Sequence, residues 1–183
     1  VRVRLGPGAR LEWLPLETIA YSGCQGESRM IAELAPSAEI MVWEVLALGL
    51  PHSGQPFAKG RMVQHLEIEG LWLDRGLIDA QDTRLMDGPL GLAGHRCLGV
   101  LVLAAGDDLG RERAEQAMTE ARELAGSHPD LWAGVTLAHP RVLVLRVLGQ
   151  QTEPVRALLQ DVWACWRKSQ WALRPVPSRM WRV

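Results

Sequence analysis

Phenylalanine and tyrosine are almost missing from this chain of 183 residues: Phe57 and Tyr21 stand alone beside eight tryptophans. Lysine is nearly as scarce. Only Lys59 and Lys168 among the 20 basic residues are not arginine, which reads as genomic base composition rather than chemistry. With a net charge of −1 and a pI near 6.6 there is no excess of either sign, which removes the electrostatic footprint that nucleic acid or an anionic membrane needs. The three cysteines, Cys24, Cys97 and Cys165, are far apart and odd in number. That excludes a disulfide framework and leads us to expect reduced thiols and a cytoplasmic location. No stretch reaches the roughly 18 consecutive apolar residues of a membrane span, and no basic-then-apolar signal segment is present. A Gly-x-Ser-x-Gly elbow, a phosphate loop, a dinucleotide fingerprint, a Cys-x-x-Cys pair and a helical His pair at i, i+4 are missing too. The common hydrolytic, nucleotide-binding and zinc-enzyme patterns therefore have no foothold.

What is there is a hydrophobic content of 48%, enough for a single domain over 1–183 with a real core. Residues 1–95 read as short strands: Val1 to Leu5, Arg10 to Leu14, Glu17 to Tyr21, Arg29 to Leu34, Ile40 to Leu48, Met62 to Glu69 and Leu71 to Ile78. Gly6, Gly23, Pro36, Gly49, Pro51, Gly60, Gly70 and Gly76 punctuate them. Met62 to Glu69, then Gly70, then Leu71 to Asp74 has the pattern of a hairpin. Ile40 to Leu48 reads as a buried strand, with a buried helix as the alternative that periodicity alone leaves open. Residues 96–183 change to a β-α-β-β-α pattern. A strand from Cys97 to Ala105 precedes a helix from about Leu109 to Ala125, capped by Asp107 or Asp108 and closed by Gly126. Strands follow at Trp132 to Leu137 and Arg141 to Leu148. The last helix starts with Thr152 as cap and Pro154 in its first turn. Val155, Leu158, Leu159, Val162, Trp163 and Trp166 form its apolar stripe, and Arg156, Gln160, Asp161, Arg167 and Lys168 its polar face.

Few residues carry chemistry by spacing. His95 and Cys97, two apart on an incipient strand, point the same way and could hold a nickel or zinc ion transiently; a loop histidine beside a core cysteine is the plainer reading. His128 and His139 each precede a proline, as loop residues do, and His65 alternates with apolar neighbours as an exposed strand residue would. Carboxylates from Asp79 to Asp87 read as an acidic loop, and Asp74-Arg75 as a surface ion pair. Trp163 and Trp166 belong to the core stripe, whereas Trp13, Trp43, Trp171 and Trp181 are candidates to anchor a partner.

Three segments carry a resemblance: Leu11-Glu12-Trp13-Leu14-Pro15-Leu16-Glu17-Thr18-Ile19, in which Pro15 stops a strand; the apolar run Glu39 to Gly49 with its Trp43-Glu44 pair, followed by Gly54-Gln55-Pro56-Phe57; and Ser178-Arg179-Met180-Trp181. Their wording and order resemble the carboxyl-terminal two-thirds of the urease accessory protein UreD family. Three positions depart from the family pattern, which has an arginine where Leu50 stands, a glutamate at Gln55 and a glutamine at Leu16. Such a pair lost together would be cheap if the two charges met. The resemblance implies an amino-terminally truncated chain with a mainly β, α+β fold of stacked, helically wound sheets and two helices in the carboxyl-terminal half. By the same resemblance the protein is not an enzyme but a scaffold and metallochaperone that binds apo-urease and UreF, reaches UreG through UreF, and helps nickel into the urease active site, with no tightly bound cofactor. Glu12, Trp13, Glu17, Glu44, Arg179 and Trp181 are the partner-binding positions on that match. The competing readings are a metal-dependent enzyme built on His95, Cys97 and the Asp79 to Asp87 carboxylates, or a plain protein-binding α+β domain.

Overall fold

The run around Trp43 is a strand of 12 residues, β5 (Glu39–Leu50), and it sits at the centre of the molecule. A computed structural model of the chain describes residues 1–50 and 53–182; the turn read at Pro51, as well as His52, lies outside the described residues. Strand rather than helix wins for this run because β5 is apolar on both faces and is covered on both, which a continuous hydrophobic run of β-branched and aromatic residues suits. Ile40, Val42, Leu46 and Leu48 face a second sheet, while Met41, Trp43 and Val45 face the helices.

The chain reaches this arrangement by winding between two sheets. β1 (Arg2–Leu5), β4 (Gln25–Leu34) and β7 (Arg61–Ile68) stack in parallel in a four-stranded sheet closed by β8 (Trp72–Asp79), antiparallel to β7. Between those passes, β2 (Arg10–Trp13) and β3 (Thr18–Ala20) pair in parallel with β5, and the short β6 (Gln55–Pro56) folds back on its end. β9 (Cys97–Ala105), β11 (Val142–Gly149) and β10 (Trp132–His139) then extend the β5 sheet. One sheet thus takes strands from both 1–95 and 96–183. The expected hairpin is β7–β8, and the architecture is mainly β, α+β.

Two helices, α2 (Arg111–Gly126) and α3 (Thr152–Trp171), cover the far face of the larger sheet. The layers are therefore sheet, sheet, helices. Val155, Leu158, Leu159, Val162, Trp163 and Trp166 of α3 are all buried. Gly99 allows the close approach, since a Cβ there would stand 2.6 Å from Val155 Cγ1.

Several local expectations need correcting. Neither long helix has a side-chain cap: the caps are Gly110 and Gln151, not Asp107, Asp108 or Thr152. Asp107 instead accepts from the Ser37 amide and Asp108 from that of Gly110, each serving the loop rather than the helix. Gly126 is the last helical residue of α2, with Ser127 as its cap. A short helix, α1 (Thr83–Asp87), forms inside the acidic loop because Asp82 accepts from the Leu85 amide. His65 is buried and bonded to Glu67 at 2.8 Å, and His139 ends β10 rather than lying in a loop. Arg156 and Arg167 leave the polar face of α3 to meet Glu17 and Glu12, described below.

Candidate functional site

Side-chain alternation along β5 aims Glu44 into the space between the two sheets, at a position flanked by the core residues Val42 and Leu46. Its Oε1 accepts from Ser28 Oγ of β4 at 2.7 Å. Burial pushes this carboxyl above the usual glutamate range and nearby Asp74 adds to the shift, while the Ser28 hydroxyl opposes it. Desolvation wins because one neutral hydrogen bond does not replace the water a carboxylate loses.

Two openings are both lined by Glu44. A cleft of about 740 Å³ lies between β8 and the β9–β11–β10 side of the larger sheet, and a smaller one of about 320 Å³ opens beside Val1, Trp13 and Pro15. Glu44 and Gln64 line both. Arg146 stands at the mouth of the larger cleft: its guanidinium donates to Asp74 at 2.8 Å and lies 6.0 Å from the Trp72 ring centre. Asp74 thus pairs across the sheets, not with its neighbour Arg75 as a sequence reading expects. Gln64, Asp74 and Arg146 were missed as site residues. A charge at a core-facing register of an apolar strand, as in Val-Leu-Val-Leu-Arg146-Val, was the available signal.

The other motif residues gather on the opposite face of the same sheet. Glu12 accepts from Trp163 Nε1 at 2.8 Å and pairs with Arg167, whose guanidinium lies 5.8 Å from the Trp163 ring. Glu17 pairs with Arg156 at 3.2 Å. Trp43 donates its indole N–H to the Pro15 carbonyl at 2.8 Å, and Trp181 packs on Trp43 and Trp163 with centroids 4.8 and 5.0 Å away. The kink after β2, the Trp43 strand and the carboxyl-terminal Trp181 therefore meet at one place. Trp43 and Trp171 are buried, which corrects their reading as partner anchors. Trp13 is half-buried against the inter-sheet core, and Arg179 is exposed in a short 3-10 turn, Arg179–Arg182.

His95 and Cys97 lie in different surroundings. Cys97 lies in the core beneath the helices, where burial first, then Glu153 and Glu17, push its thiol up to about 12, so it is no thiolate at neutral pH. His95 is buried and packs T-shaped with Trp132, 5.2 Å between ring centroids. Asp79 bonds Arg61 at 2.8 Å, and the Gln81 amide, ahead of Arg61, holds its carboxyl below the ordinary range. Asp87 pairs with Arg96 at 2.6 Å. Among the described residues no three His, Cys, Asp or Glu side chains converge on a point that could hold a metal ion. No helix of the described residues is long and apolar enough to cross a membrane.

Comparison with known proteins supplies what geometry alone does not. The model of the UreD urease accessory protein family matches residues 1–182. The urease accessory protein UreD of Paracidovorax citrulli is 53% identical over 180 residues, covering 98% of this chain and 65% of its own length. The UreD proteins of Albidiferax ferrireducens and Verminephrobacter eiseniae are 52% and 51% identical, over 100% and 98% of this chain and 66% and 65% of their own lengths. The chain spans just under two thirds of the length of these relatives.

Proposed function

The chain belongs to the UreD family of urease accessory proteins, a family of accessory factors rather than catalysts, and we propose that it serves urease maturation as a scaffold and nickel conduit in the cytoplasm. In this reading the full-length protein binds apo-urease and UreF, reaches UreG through UreF, and passes nickel ions as cargo toward the urease active site. The observation that carries the conduit is Glu44. Glu44 lines both inter-sheet openings, with Asp74 in the larger and Glu27 in the smaller, and among the described residues no third His, Cys, Asp or Glu joins it to make a tight cage. A cargo site must release its ion, and one oxygen donor with neutral Ser28 and Gln64 beside it binds a borderline cation weakly enough to do so.

Glu12, Glu17 and Trp181 act in this proposal by holding α3 and the carboxyl-terminal turn on the larger sheet. Exposed Arg179 and half-buried Trp13 are the positions available to a partner. The test is urease activation in cells lacking their own UreD, supplied with the full-length protein carrying Glu44→Gln. Activation should fall severalfold while UreF still co-purifies with the variant. Unchanged activation would remove Glu44 from the path, and loss of UreF together with activity would make it a structural residue.

A further inference from the structure

β8 is a terminal strand of its sheet, and among the described residues nothing pairs with its outer edge. Its side chains alternate between the two faces. Trp72, Asp74 and Ile78 turn toward the second sheet, where Trp72 and Ile78 join apolar clusters and Asp74 meets Arg146. Leu73, Arg75, Leu77 and Asp79 therefore share the outer face. Leu73 and Leu77 are each 53% exposed, and Arg75 between them is exposed as well. Among the described residues no carboxylate pairs with Arg75. Glu67, diagonal to it on β7, is bonded to His65 at 2.8 Å, and Asp79 is held by Arg61 and the Gln81 amide. Across the sheet the row continues through His65 to Arg29, whose contact with Glu27 is a long 4.0 Å. A charge on a sheet edge ordinarily turns other strands away. An uncompensated one between two exposed leucines turns away every strand except one that neutralises it.

We propose that the β8 edge docks an extended segment of a partner protein, added antiparallel to β8, with an aspartate or glutamate opposite Arg75 and an apolar residue two positions to either side of it. Main-chain bonds to the edge supply affinity, and alternate side chains supply choice. On the outer face the acid neutralises Arg75 while the flanking apolar side chains cover Leu73 and Leu77, their direct cross-strand neighbours. On the inner face the guest residue opposite Gly76 meets open space. Nothing lies within 4 Å of where a Gly76 Cβ would stand, and the cleft of about 740 Å³ begins there, lined nearby by Ile78, Leu85 and Leu92. A bulky apolar side chain suits that position. A second copy of this chain is a poorer guest. An antiparallel β8–β8 contact centred on Arg75 sets two guanidiniums face to face, and the next same-face register on either side sets each opposite a leucine. The β10 edge of a second copy brings no acid either, since Trp132 to Ala138 carries no charged residue.

The experiment uses the full-length protein and a fluorescein-labelled peptide, Thr-Val-Phe-Glu-Thr-Val-Thr, which sets its Glu opposite Arg75, its two Val opposite Leu73 and Leu77, and its Phe opposite Gly76. Binding is read by fluorescence anisotropy. The same peptide with Lys in place of Glu should bind at least about tenfold more weakly, because it puts two like charges together. Arg75→Glu should reverse the preference, taking the Lys peptide over the Glu peptide by a similar factor. Since Arg75 is exposed and unpaired, this variant should keep the wild-type Tm, and the reversal itself cannot come from misfolding. Hydrogen exchange should show the outward amides of β8 slowing when the Glu peptide is added. Equal affinity of wild type for the two peptides, an unchanged preference in Arg75→Glu, or no binding at about 1 mM peptide would each overturn the proposal. So would outward β8 amides already protected before any peptide is added, which would mean that the protein or a second copy covers this edge itself.

Discussion

Leu50 and Gln55 are register partners across the β5–β6 hairpin. The resemblance read from the sequence puts an arginine and a glutamate at these two positions. Gly49, at φ +74°, makes the hairpin possible, because a Cβ there would lie 2.5 Å from the Phe57 amide nitrogen.

The first prediction follows from that register. An arginine and a glutamate placed at 50 and 55 would face each other directly, so each restores the other's counterion. In cells lacking their own UreD, full-length protein with both Leu50→Arg and Gln55→Glu should raise urease activation more than the sum of the single variants. Strictly additive effects would show that the two positions do not cooperate.

Glu44 gives a pH prediction. Its folded carboxyl is held above the ordinary value of 4.5, so the protonated form is the one the fold prefers. Its stability contribution is therefore intact below about pH 4.5 and is lost as pH rises through the folded value. Glu44→Gln should raise Tm at neutral pH, and the gain over wild type should vanish in acid. A wild-type protein more stable than Glu44→Gln at neutral pH would reverse the sign and count against the burial argument.

On α3, Leu158→Ala or Trp163→Ala should cost about 2–5 kcal/mol through cavity formation, with Trp163→Ala at the upper end because it also strips Glu12 of a donor. Exposed Lys168→Ala should stay within about 0.5 kcal/mol. Arg156→Ala falls between them, since it leaves half-buried Glu17 unpaired. Denaturant melts of the four variants give this order directly.

Trp181→Ala separates a packing residue from a partner anchor. Its contacts with Trp43 and Trp163 make two aromatic pairs, so its loss should destabilise the folded protein by about 1–3 kcal/mol. Unchanged stability combined with loss of UreF binding would move Trp181 to the interface.

Much of this molecule was legible in its sequence, because its signals are local. Val155 to Trp166 repeats at helical spacing, Gly70 punctuates a hairpin, and the words around Trp13, Trp43 and Trp181 carry the family. The length and composition also bounded the class. Periodicity did not decide whether Ile40 to Leu48 was strand or helix; cover on both faces did. Helix caps were misplaced because Asp107 and Asp108 found loop amides nearer than the helix end, a choice settled by the chain around them. Most of the candidate site was hidden for a similar reason. Glu44, Gln64, Asp74 and Arg146 lie on four strands, and only the winding between two sheets turns them into one space. The motif residues divide the opposite way: Trp43 and Glu44 are neighbours in sequence, yet alternation along β5 sends the indole to the helices and the carboxylate to the cleft. Sequence determined which residues would be strand, helix and core, since those depend on neighbours a few positions away. Which face each charge met, and therefore which carboxylate lines both openings, was decided by contacts between residues tens of positions apart.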